Sequence, residues 1–60
     1  MLAEKIEKYC EKKGISIRQF EIMCGLSNGL IGKWKNGLSP TVTSLSKIAD
    51  ATKTDLKKWV

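Results

Sequence analysis

Residues 14 to 37 read GISIRQFEIMCGLSNGLIGKWKNG, and glycines at 14, 25 and 37 divide this stretch into two short segments. Ser16 followed three residues later by Gln19 has the form of a capping box, so a helix is predicted over about 16–24 with Phe20 and Cys24 on its buried side. Gly25 stops it. Ser27 is placed to cap a second helix over about 28–36, whose Ile31 and Trp34 point inward and which Gly37 ends. On this reading only Gly25 and Leu26 separate the two helices. So short a connection makes them pack at a steep angle.

The flanks extend the same pattern. Leu2, Ile6, Tyr9 and Cys10 recur at the spacing of one helical face, with Glu and Lys between them, which predicts a first helix over 2–13 closed by Gly14. Pro40 blocks continuation of the helix that Gly37 ends, and Thr41 caps a fourth helix with an apolar stripe of Val42, Leu45, Ile48 and Ala49. Asp55 caps a last short turn carrying Leu56 and Trp59. No period-two alternation is present. The fold class is therefore all-α: one domain over 1–60, a compact bundle of about five short helices around a single core.

The composition narrows the function. Eleven Lys and Arg against six Asp and Glu give a net charge of +5, which favours a polyanionic partner such as nucleic acid. Cys10 and Cys24 sit at apolar helical positions and read as small buried hydrophobes. With no histidine, two cysteines cannot assemble the usual four-ligand zinc site, so no metal and no cofactor are expected. The absence of histidine and of a carboxylate cluster also argues against an enzyme. No apolar run approaches the roughly 20 residues that span a bilayer, and no signal-peptide core is seen, so the expected location is the cytoplasm, on the nucleoid when bound to DNA.

With Ile31 and Trp34 turned inward, the helix over 28–36 keeps a free face of Asn28, Gly29, Gly32 and Lys33. Asn can make two hydrogen bonds to adenine, and Lys can donate to guanine O6 or N7. Each glycine costs a helix interior about 1 kcal/mol relative to alanine, and close backbone approach to a groove is one reason to accept that. Asn28 beside Ser27 also fits a plain capping role, in which it reads nothing. Ser16, Ser27 and Thr41 serve their helices as caps and are also natural phosphate ligands.

The stretch from Gly14 to Gly37 resembles the helix-turn-helix of the phage lambda repressor and Cro family, the Xre-type regulators. Matching features are Gly14, Ser16, Phe20, Cys24, Gly25, Leu26, Ser27, Ile31, Trp34, Asn36, Gly37 and Pro40, and LSKIADA over 45–51 is similar to the family's fourth helix. The resemblance implies a lambda-repressor-like fold and a sequence-specific regulator of transcription, a repressor. It implies a homodimer on a roughly palindromic double-stranded operator, reading the major groove with the third helix.

This chain departs from the family at informative places. Ile17 stands where relatives carry a phosphate-binding Gln, which leaves Arg18 or Gln19 to compensate. Glu21 replaces a small alanine between the second and third helices, so either their angle changes or Glu21 bends outward. Cys10 and Lys35 stand where relatives pair an Arg with a Glu. That releases Lys35, with Asn36, toward a phosphate. Leu56, Trp59 and Val60 are expected to form a C-terminal apolar dimer interface. Ile17, Ile22 and Met23 together form an apolar face on the second helix, which supports a competing role: a protein-interaction module on the same scaffold, such as an antitoxin or anti-repressor.

Overall fold

The computed structural model describes residues 2–60. Four α-helices follow one another, α1 (Leu2–Lys13), α2 (Ile17–Cys24), α3 (Leu30–Lys35) and α4 (Val42–Thr52), and a 3-10 turn (Leu56–Lys58) ends the chain. The local signals explain most of these boundaries. Ser16 Oγ accepts from the Gln19 N–H at 3.0 Å while Gln19 Oε1 accepts from the Ser16 N–H at 2.8 Å, completing the capping box. Thr41 Oγ1 accepts from Ser44 N at 3.1 Å to start α4, and Asp55 Oδ1 accepts from Lys57 N at 3.1 Å to start the last turn.

All four helices end alike. A residue in the left-handed region lets its own N–H and that of the residue after it turn back on the last carbonyls, as in Ile15 N to Cys10 O at 3.0 Å and Leu26 N to Glu21 O at 2.8 Å. Glycine fills that position after α1, α2 and α3, whereas Lys53, at φ 55°, fills it after α4. That end therefore carried no glycine signal in the sequence.

Ile6, Phe20, Ile48 and Trp59 are the largest fully buried side chains, and Cys10, Cys24, Ile31, Trp34 and Leu45 complete the core around them. Ala3 is buried too. Val42 is 72% exposed and does not belong to the stripe predicted for α4, which Leu45, Ile48 and Ala49 form without it. Burial pushes both cysteine thiols above their ordinary range, Cys24 to about 11, with its neighbour Cys10 adding to the effect.

Trp59 corrects the expected dimer interface. It is 2% exposed within the single chain, packed edge to face against Tyr9 at 5.8 Å between ring centroids, and its indole N–H donates to Thr54 Oγ1 at 2.7 Å. Thr54 and Thr52 hydroxyls lie 2.7 Å apart, and Thr52 Oγ1 donates to Ile48 O at 2.7 Å, so the indole is tied into α4. A ring held this way closes the monomer core. Of the three C-terminal residues, only Val60 is well exposed, and Leu56 is half-buried against the core.

Candidate nucleic-acid interface

Gly25, at φ 71°, turns the chain sharply out of α2, and Leu26 drops into the core at 8% exposure. The connection is longer than the sequence suggested. Residues 25 to 29 lie between the helices, and α3 begins at Leu30, so Asn28 belongs to the turn that presents α3 and not to the helix itself.

Gly29 is the N-cap of α3, at φ 81°, and no side chain of the cap residue closes the helix start. Ser27 therefore does not play the capping role predicted for it; its carbonyl accepts from Leu30 N at 3.2 Å. Glu21 takes that role from α2. Its carboxylate turns inward, 2% exposed, and accepts from Gly29 N at 3.2 Å through Oε1 and from Ile31 N at 3.3 Å through Oε2. Arg18 Nη1 lies 3.6 Å from the same carboxylate. A negative group bonded to the open N–H groups at a helix start satisfies donors that would otherwise be orphaned. Glu21 thus fills the place of a small residue by becoming a cap, and the outward bend is not seen.

That arrangement fixes which groups remain for a ligand. Ile31 and Trp34 lock α3 to the core at 3% and 5% exposure. Asn28, Gly29, Gly32 and Lys33 are exposed together on and just before the helix. A Cβ built on Gly29 or Gly32 would meet nothing within 4 Å, so the backbone there is open to approach. The N–H groups of Gly29 and Ile31, taken by Glu21, are not free for a phosphate.

Ser16 is exposed at the start of α2, and because its Oγ only accepts in the capping box, its hydroxyl proton remains available. Thr41 differs: its hydroxyl donates to Ser44 Oγ at 3.1 Å, so its proton is engaged. Asn36 is the C-cap of α3 and exposed.

Lys35 is not loose. Its Nζ pairs with Glu7 Oε2 of α1 at 3.0 Å, with Lys35 exposed and Glu7 half-buried. The charge pairing between the first and third helices is thus present with its polarity reversed, carried by Glu7 in place of Cys10. Such an exposed pair is worth at most about 1 kcal/mol and does not hold Lys35 back strongly from a phosphate. Neither this pair nor the Glu21 cap was found in the sequence. An acid at a normally small position next to a helix start was the available signal for the cap, but Glu7 and Lys35 lie too far apart in sequence for any local pattern.

On α2 the apolar face is smaller than expected. Ile22 and Met23 are 62% and 43% exposed, whereas Ile17 is half-buried and packs against the core.

Among the described residues, no helix is long and apolar enough to cross a membrane. Searches of curated proteins and of solved structures returned no match. A helix-turn-helix family model, of the Xre-like, Cro type, matches residues 6–59, which takes in α2, the turn, α3, α4 and the closing Trp59. The chain belongs to this family of DNA-binding helix-turn-helix regulators.

Proposed function

We propose that the chain is a sequence-specific transcriptional repressor that reads a short half-site in the major groove with α3 and the turn before it. One observation carries this reading. The exposed side of α3 and the turn before it carry two base-reading residue types, Asn28 and Lys33, with two glycines that have open space above them, while the opposite side of α3 is locked by Ile31 and Trp34. Ser16 and Arg18 at the start of α2, and Lys35 and Asn36 at the end of α3, flank that face as phosphate contacts. Ser27 and Thr41, both exposed, complete the flanks through backbone and hydroxyl oxygens bridged by water. Two copies occupy a roughly palindromic operator, touching through Val60 and the edge of Leu56. Occupancy of the operator then represses by exclusion.

Selection of bound sequences from a random duplex library tests the reading. Enrichment of a palindrome supports both base reading and the dimer, and enrichment of a single half-site supports base reading alone. No enrichment contradicts the reading and favours the second one, a protein-interaction module, for which the exposed Ile22 and Met23 on α2 are the supporting observation.

A further inference from the structure

The positive charge of this chain is not concentrated at α3. Lys5, Lys8, Lys12, Lys13 and Lys58 account for five of its eleven basic residues, and they gather around Tyr9 on α1 and the 3-10 turn. Lys5, Lys8 and Lys12 recur at i, i+3 and i+7, one stripe of α1 that lies roughly 100° or more around the helix axis from Glu7. Glu7 marks the side facing α3, through its pair with Lys35. The stripe therefore faces away from α3.

Together with Tyr9, Lys58 and Trp59, the three lysines line an open recess of about 320 Å³. Half-buried Tyr9 supplies its exposed aromatic surface, and Trp59, buried beneath, supports it. The ammonium of Lys58 lies 5.9 Å from the Tyr9 ring centroid and 5.6 Å from that of Trp59, and that of Lys13 lies 5.8 Å from Tyr9. Lys5 Nζ also donates to Val60 O at 3.1 Å. The two ion pairs among the described residues are Arg18 with Glu21 and Lys35 with Glu7, so none of these five lysines is in direct contact with an Asp or Glu side chain; Glu4 and Glu11 lie one helical turn from Lys8.

Walls made of lysine stems and aromatic edges, with ammonium groups along the rim, suit an occupant that is apolar in the middle and anionic on both sides. We infer that this recess is a docking site for an acidic peptide segment of a partner protein, which seats one aromatic side chain against Tyr9 and sets carboxylates beside Lys5, Lys8, Lys12 and Lys58. A nucleotide fits less well, because the recess holds no array of donors and acceptors that would fix a base edge. A duplex fits less well too, since it has phosphates for the lysines but nothing apolar for the floor. Docking here leaves α3 uncovered, so the partner binds the regulator on its DNA. The inference does not depend on which sequence α3 reads.

The test uses a short fluorescein-labelled peptide carrying one phenylalanine between two blocks of glutamate, titrated into the intact chain and followed by anisotropy. Replacing the phenylalanine by serine in the peptide is expected to weaken binding about tenfold, and the Lys8→Glu/Lys12→Glu variant to weaken it about tenfold or more. The same variant should keep its helical circular dichroism and, although its net charge falls from +5 to +1, lose much less affinity for a duplex selected as above than for the peptide at the same salt concentration, and Lys33→Glu should change peptide binding little. If the charge reversal unfolds the chain, Lys8→Gln/Lys12→Gln is read in its place. The inference is overturned by a peptide that does not bind, by serine and phenylalanine peptides that bind equally, or by displacement of the peptide with an equal concentration of ATP. A lysine variant that loses duplex affinity as much as peptide affinity also overturns it, since the face would then be a DNA contact.

Discussion

Asn28 is exposed in the turn just ahead of α3, and the cap of that helix is formed without it. Its side chain is thus not spent on starting the helix. On the preferred duplex, Asn28→Ala should cost about 1–3 kcal/mol and relax the preference at one base position, with little effect on random DNA and almost none on thermal stability. Lys33→Ala should act likewise at a neighbouring base pair. Lys35→Ala, a phosphate contact, should weaken all duplexes about equally and reduce the slope of log K against log salt by roughly one unit. Titrations of matched and random duplexes at several salt concentrations separate these classes; an Asn28→Ala variant that keeps its base preference would remove Asn28 from the reading set. Gly32 offers a second, sharper comparison. A Cβ there meets nothing within 4 Å, so Gly32→Ala should stabilise the free chain by up to about 1 kcal/mol. If the backbone lies against the groove, the same methyl weakens binding to the preferred duplex. A variant that melts higher and binds equally well shows that the backbone does not approach.

Between α2 and α3, Glu21 is the residue on which the geometry turns. Its carboxylate serves two N–H groups of the α3 start from a buried position. Glu21→Ala leaves those donors without an acceptor and should destabilise the fold by about 1–3 kcal/mol, whereas Glu21→Gln, which keeps one acceptor oxygen, should lose less. Urea unfolding of the three chains measures this; equal stability of Ala and Glu would mean that the cap contributes nothing. The elements themselves were legible in the sequence because their signals are local: the Ser16–Gln19 box, the Thr41 and Asp55 caps, and the glycine stops after α1, α2 and α3. The start of α3 was not legible, since its cap comes from another helix and the glycine at its N-cap has no side chain to announce it. The same reason hid the pair of Glu7 with Lys35. Val42 was misplaced because a stripe read from spacing alone extends one turn past the point where the core ends.

For the molecule as a whole, one core serves 59 described residues, and Tyr9, Phe20 and Trp59 hold α1, α2 and the C-terminal turn together around it. Cys24 lies in that core with its thiol pushed up to about 11 from 9.0. The folded chain therefore holds this proton more tightly than the unfolded one, so the contribution to stability is intact below 9.0 and is lost as pH rises toward 11. Cys24→Ala should be less stable than the parent at about pH 8, and the gap in urea midpoint should narrow at about pH 10.5. A gap independent of pH would show that the thiol titrates alike in both states. The larger question at this scale is which face meets DNA, because the densest cluster of lysines surrounds Tyr9 and not α3. Amide chemical shifts of the chain, followed by NMR as the selected duplex is added, answer it most directly. The largest changes are expected at residues 28 to 36 and at Ser16 to Arg18, smaller ones at Leu56 and Val60 where two copies meet, and little movement at Lys5 to Lys13. Changes concentrated on α1 and the C-terminal turn, with α3 silent, would contradict the proposed reading.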